Sequence, residues 1–296
     1  MSKTVNAFPS KLFFVSMLTR DIDLRDAILD LLDNCIDGIL RQLSADKLHS
    51  ESPYEGYYAK IVANPTEFTI IDNCGGIPKR IAELSAFRLG RPDLDRDKDL
   101  PTVGMYGIGM KRALFKMGKH SFVISQHDDK AYTVEIPPEW LTDDEDWYLD
   151  IIDQPDHFDQ NGTEIIINDL HPSISAQFDS NKHTFLKDLQ EDISHFFALI
   201  IKKGFKVYLN GEEVSPVHLS ILVPRDFSES SVIKPYLYKA TINEVEIELA
   251  VGFYRELASE SELDNEKLIP RKSDNAGWTI ICNDRVVLHR DKVSSQ

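Results

Sequence analysis

Asp30, Asp33, Asn34 and Asp37 place carboxylate and amide groups three and four residues apart, amid apolar Leu31, Leu32, Cys35 and Ile36. At about 100° per residue on a helix, Asp26, Asp30, Asp33, Asn34 and Asp37 share an arc about 100° wide. Ile28, Leu29, Leu31, Leu32, Cys35, Ile36, Ile39 and Leu40 fill the opposite half. Such a face also arises on ordinary solvated helices, but these usually set lysines four residues from the acids. Here only Arg41 joins the acidic arc, so like charges repel by about a few tenths of a kcal/mol per pair. A divalent cation would relieve that repulsion. Asp30 and Asn34 stand one helical turn apart and can address one ligand: a carboxylate can orient a water, and an amide oxygen can ligate Mg²⁺.

Two further groups lie downstream. Phe68-Thr69-Ile70-Ile71 is apolar and β-prone, so Asp72 falls at a strand end, followed by Gly75 and Gly76. Paired glycines admit torsions closed to other residues and let a planar ligand approach the backbone. A carboxylate at that point can accept from an amino group such as that of adenine, although Asp-Asn-Gly turns are also common without a ligand. Gly104, Gly107 and Gly109 then open a helix, whose free N–H groups and positive dipole end suit phosphate. The loop does not follow an obvious strand of a βαβ unit, which argues against a dinucleotide fingerprint. Lys111 stands at the wrong spacing for a Walker A motif, with no Ser or Thr after it.

These groups need elements to hold them. Apolar periodicity predicts a helix from Leu24 to Gln42 and strands at Tyr57 to Ala63 and Phe68 to Asp72, joined by Asn64-Pro65-Thr66. Residues Ile81 to Leu100 are charged and poorly periodic, as a loop would be. A helix is predicted over Met110 to Met117, ended by Gly118, with strands at Ser121 to Ser125, Ala131 to Ile136 and Thr163 to Ile167. The acidic stretch Trp140 to Asp159 reads as a surface excursion. A second long helix is predicted from Thr184 to Lys203, followed by a strand at Phe205 to Leu209 and a hairpin turn at Asn210-Gly211. Further strands are expected near Tyr236 to Thr241, Val245 to Tyr254 and Trp278 to Cys282. Strands clustered around few helices point to α+β layering, with a soft boundary near residues 170 to 182.

The 296 residues include 33 basic and 49 acidic ones, for a formal net charge of -16. Such a chain is repelled on average by nucleic acid and anionic membranes, with Lys202-Lys203 and Arg271-Lys272 as local basic pairs. Cys35, Cys74 and Cys282 are odd in number and scattered, showing neither a disulfide framework nor a zinc spacing. That usage favours a reducing cytosol. There is no apolar signal core at the start and no run of 18 apolar residues, so a cytoplasmic protein without a membrane span is expected.

In order and separation, these elements resemble the GHKL ATPase superfamily, named for gyrase B, the large heat-shock chaperone, histidine kinases and MutL. The first family motif, Glu-x-x-Asp-Asn-x-x-Asp, is similar to Asp30-x-x-Asp33-Asn34-x-x-Asp37. The second, Asp-x-Gly-x-Gly, is similar to Asp72-Asn73-Cys74-Gly75-Gly76, with Cys74 in place of the first glycine. The third, Gly-x-x-Gly-x-Gly, matches Gly104, Gly107 and Gly109, and a fourth, Gly-Thr on a late strand, matches Gly162-Thr163. The implied fold is α+β: a Bergerat-type α/β sandwich, its sheet mixed and largely antiparallel with helices on one face. A transducer-like α/β domain of the ribosomal-S5 type would follow. The resemblance is nearest to MutL- or MORC-type members, with Asn283-Asp284-Arg285 similar to the Asn-Gly-Arg of a MutL-like transducer strand. Residues 1–175 would form the ATP-binding domain and 176–296 the transducer-like domain, complete or truncated at its C-terminus.

The resemblance also implies roles. Asn34 would hold Mg²⁺, Asp72 would accept from the adenine amino group, and Thr163 would back a bridging water. Asp37, Gly76 and Ile77 would join the nucleotide site, together with the lid residues Gly104, Tyr106, Gly107, Ile108, Gly109, Met110 and Lys111. Asp30 stands where the family has a glutamate that activates the attacking water; it is one methylene shorter, a retreat of about 1.5 Å along an extended side chain. Lys272 is the nearest candidate for the lysine that transducers present to the γ-phosphate. The implied ligands are ATP or ADP and Mg²⁺, and the implied partners are a second copy on ATP binding and a client, DNA or protein. Slow hydrolysis driving lid closure and a dimer clamp is the first reading. A nucleotide-gated switch with negligible hydrolysis is the second. Histidine-kinase-type phosphotransfer comes third, because the ATP motifs begin near the N-terminus and leave little room for a phosphoacceptor helix pair before them.

Overall fold

The computed structural model describes residues 10–89, 108–128, 130–155, 158–219, 221, 234–253 and 276–292. The chain divides into two compact units, Met1–Pro216 with Asn283–Arg285, and Val217–Cys282 with Val286–Gln296.

In the first unit, helices α1 (Lys11–Arg20), α2 (Leu24–Leu40) and α3 (Ala45–Leu48) lead into strands β1 (Tyr58–Ala63) and β2 (Phe68–Asp72). Then come α4 (Lys79–Ile81), a π-helical turn at Ala82–Ala86 and α5 (Gly109–Met117). Strands β3 (Gly118–His127) and β4 (Lys130–Ile136) precede a 3-10 turn at Pro138–Leu141, β5 (Ile151–Gln154) and β6 (Gly162–Leu170). The unit closes with α6 (Pro172–Gln177), α7 (Phe185–Phe196), α8 (Ala198–Lys202), β7 (Lys206–Leu209) and β8 (Glu212–Glu213).

All eight strands join one sheet in the order β5-β4-β3-β6-β2-β1-β7-β8. β1 and β7 run parallel; the other neighbours pair antiparallel. This is the mixed, largely antiparallel sheet with helices expected for the α+β class. Period-two alternation drives it: along β1, Ala59, Ile61 and Ala63 are buried while Lys60 and Val62 face out. Against this layer α2 buries Ile28, Leu32, Ile36 and Ile39 completely, beside Phe68, Ile167 and Val207. Burying each such side chain stabilises the fold by about 1.5–3 kcal/mol relative to exposure.

Several elements depart from the sequence expectation. Ile81 to Ala86 is helical rather than loop, with Ala82 buried against Tyr132 and Val134. The acidic excursion contributes an edge strand, β5, and the Trp140 carbonyl and ring that enclose the buried Lys11 ammonium. The long helix predicted from Thr184 is two helices, broken at Phe197, whose φ of -108° and ψ of 15° leave the helical region. The parallel pairing of β7 with β1 carries the first unit to Pro216, beyond the soft boundary expected near residues 170 to 182. A boundary read from local composition cannot register a strand that pairs with one 148 residues earlier in the chain.

In the second unit, β9 (Tyr236–Ile242) and β10 (Val245–Val251) form an antiparallel hairpin. Its turn residues Asn243 and Glu244 both take positive φ, 50° and 68°, the geometry of a type I′ turn. Strands β11 (Trp278–Cys282) and β12 (Arg285–Asp291) form a second two-stranded sheet.

Candidate active site

Helix α2 sorts its polar arc into paired and unpaired groups. Asp26 accepts from Arg25 Nε at 3.2 Å. Asp33 accepts from Arg285 Nε at 2.7 Å and Nη2 at 3.4 Å. That guanidinium lies over the Phe197 ring at 4.2 Å and donates to the Phe196 carbonyl. Asp37 is only 2% exposed, with Arg41 Nη2 at 3.9 Å. The arc is therefore not one open acidic face; Asp37 is buried, Asp33 is largely covered, and both are matched by arginines. Asp30 and Asn34 remain, and neither side chain makes a hydrogen bond or ion pair among the described residues. Asn34 is exposed and Asp30 half-buried.

Asp30 faces the start of α5. A Cβ placed on Gly109 would stand 3.3 Å from both Cβ and Oδ2 of Asp30, so glycine allows this approach with little to spare. Burial raises the Asp30 pKa, opposed by Arg112 and reinforced by Asp26. Ile108, Gly109 and Met110 form the half-exposed opening of α5. Lys111 is turned inward, 3% exposed, and its Nζ donates to the Ala86 carbonyl at 2.8 Å. Burial pulls its pKa down to about 8. Gly104, Tyr106, Gly107 and Lys272 lie outside the described residues.

Asp72 ends β2 opposite Thr163 of β6. Its Oδ1 accepts the Cys74 N–H at 2.7 Å, and its Oδ2 faces the Cys35 thiol at 3.6 Å. Burial of the carboxylate pushes its pKa up to about 6, against the hydrogen bonds from Cys74, Cys35 and the Thr163 backbone. Gly75 and Gly76 take φ of 105° and 68°, so the left-handed freedom lost at Cys74 is supplied by Gly75. At Gly76 a Cβ would stand 2.0 Å from the Gln126 carbonyl oxygen, which closes the turn against β3. Ile77 is fixed at both ends: its N–H donates to Ser125 Oγ at 2.7 Å, and its carbonyl accepts from the Tyr132 hydroxyl at 2.8 Å. Ser125 Oγ also lies 3.3 Å from Thr163 Oγ1. Ser125 and Tyr132 went unnoticed in the sequence because they read as ordinary strand residues; only the sheet register brings Ser125 opposite Thr163.

The Asp72 turn, α2 and the opening of α5 thus carry the described members of the three glycine and carboxylate motifs. The model of a family described as histidine kinase-, DNA gyrase B- and HSP90-like ATPase matches residues 22–165. That segment, just under half of the chain, runs from the residue before Asp23 and α2 into β6 and takes in each of these motifs. It is similar to a GHKL-type ATPase domain, and the match supports ATP binding. A search of curated proteins found no match to the chain. Among the described residues, no helix is long and apolar enough to cross a membrane.

Proposed function

We propose that the chain binds Mg²⁺-ATP along α2 and at the Asp72 turn and hydrolyses it slowly, in the manner of a MutL- or MORC-type ATPase. One observation carries this reading: of the polar groups on the α2 arc, Asp30 and Asn34 alone make no side-chain hydrogen bond or ion pair among the described residues, and these are the positions to which the first motif assigns chemistry. An exposed amide oxygen one turn from a carboxylate fits a hard cation that takes oxygen ligands and keeps several waters. When bound, Mg²⁺ neutralises phosphate charge. Asn34 holds the metal, Asp30 accepts the proton of the attacking water, and Asp72 accepts the adenine amino group with Thr163 behind it. Asp37, Gly76 and Ile77 shape the base and sugar side, and Ile108 to Lys111 the phosphate side. A carboxylate whose pKa is raised by burial suits a general base. Positioning and charge neutralisation supply most of the catalysis in phosphoryl transfer.

The rest of the resemblance belongs to the same proposal: a lid that includes Gly104, Tyr106 and Gly107, a transducer-like domain presenting Lys272 to the γ-phosphate, and a homodimer clamp formed on ATP binding in the cytoplasm. The client, DNA or protein, follows from neither composition nor site. Phosphate release tests the catalytic part. Asp30→Ala and Asn34→Ala are expected to lower turnover by at least about 100-fold; wild-type turnover preserved in both would remove the assignment. The short reach of Asp30 favours the second reading, a nucleotide-gated switch, which predicts tight binding with no phosphate release above background.

A further inference from the structure

The sequence places Cys35 in the helix motif and Cys74 in the turn motif, with no zinc-like spacing between them. Folding brings them together. Cys35 Sγ, Cys74 Sγ and a carboxylate oxygen of Asp72 all lie within 4.8 Å of one another. Both thiols are buried, 4% and 2% exposed, while Asp72 keeps partial exposure. Each thiol also has a backbone carbonyl in reach, Leu31 for Cys35 at 3.3 Å and Tyr58 for Cys74 at 3.7 Å. Core cysteines normally sit among apolar groups; two around a carboxylate make a soft donor set with one oxygen.

The Cys35–Asp72 separation matches a tetrahedral ion, and the other two separations lie within 4.8 Å. With metal–sulfur and metal–oxygen bonds of about 2.3 and 2.1 Å, tetrahedral angles place sulfur and oxygen about 3.6 Å apart and two sulfurs about 3.8 Å apart. The Cys35 sulfur stands 3.6 Å from Asp72 Oδ2. We propose that Cys35, Cys74 and Asp72 form a site for one thiophilic divalent cation of the zinc class, and that an ion held there occludes the acceptor offered to adenine. Each thiol gives its proton to solvent as its sulfur–metal bond forms, and no oxidation is involved. A water would complete the fourth position. The site stands on its own geometry; only the competition with nucleotide rests on the function proposed above.

The test uses the full, reduced chain with Cys282→Ser, which removes the exposed thiol. Titration with Cd²⁺ is expected to raise a thiolate-to-metal charge-transfer band saturating at one ion per chain, bleached by Zn²⁺. Cys35→Ala or Cys74→Ala should weaken binding by more than about tenfold, and Asp72→Asn by about tenfold. X-ray absorption of the Zn²⁺ complex of the parent chain, which needs no core substitution, should show two sulfur neighbours. Absence of the band, its persistence in Cys35→Ala/Cys74→Ala, or an oxygen- and nitrogen-only shell would overturn the site. A saturating non-hydrolysable ATP analogue should weaken Cd²⁺ binding by at least about tenfold; unchanged affinity with nucleotide bound would overturn the competition. A band in a chain that takes up no nucleotide would uphold the metal site and count against the ATP reading instead.

Discussion

At the scale of single residues, Asp72 sets up the sharpest prediction. Its folded pKa of about 6 lies above the ordinary value of 3.8, so the folded protein binds more protons than the unfolded chain between those values. This group's contribution to stability therefore falls as pH rises from about 4 to about 6, by up to about 3 kcal/mol. Asp33, also raised to about 6 by burial, has the same sign. Asp72→Asn is expected to flatten its share of that dependence and to stabilise the free protein at neutral pH, measured by urea unfolding across the range. An unchanged slope in Asp72→Asn would show that burial does not raise the pKa of this carboxylate. The places of Asp30 and Asn34 on a helix, Asp72 at a strand end and Thr163 on a strand were legible in the sequence because short apolar periods fix them. The partners of Asp33 and Ile77 were not, because Arg285 and Ser125 reach them across the fold.

At the scale of elements, α2 is the piece on which the site depends, and its amphipathic period placed it to within two residues. What the period could not show is that Asp33 is an inward-facing acid held by Arg285, with side-chain exposures of 13% and 9%. Removing one member of a buried pair strands the other charge, so Arg285→Ala is expected to destabilise the first unit by about 3–5 kcal/mol. Adding Asp33→Asn to that variant should recover part of the loss. Equal stability of Arg285→Ala and the parent in urea would show the pair to be idle. The Asn210-Gly211 turn was readable because both residues take positive φ, 48° and 88°, as a type I′ hairpin requires. The break at Phe197 was not readable, since an apolar run through Phe196, Phe197 and Ala198 continues the helical pattern without a Gly or Pro.

At the scale of the whole molecule, the α+β class followed from strands grouped around few helices, whereas the extent of the first unit depended on the long-range pairing of β1 with β7. The proposed clamp predicts that a non-hydrolysable ATP analogue with Mg²⁺ shifts the mass in light scattering from one copy to two, and that Asn34→Ala abolishes the shift. A mass unaltered by nucleotide would leave an ATP-binding domain without a clamp. Calorimetry with the non-hydrolysable analogue measures whether α2 and the Asp72 turn hold Mg²⁺-ATP, as proposed. One site per chain is expected, Mg²⁺-dependent, with affinity reduced at least about tenfold in both Asn34→Ala and Asp72→Asn. No heat on folded protein, or the same affinity in both variants as in the parent, would contradict it.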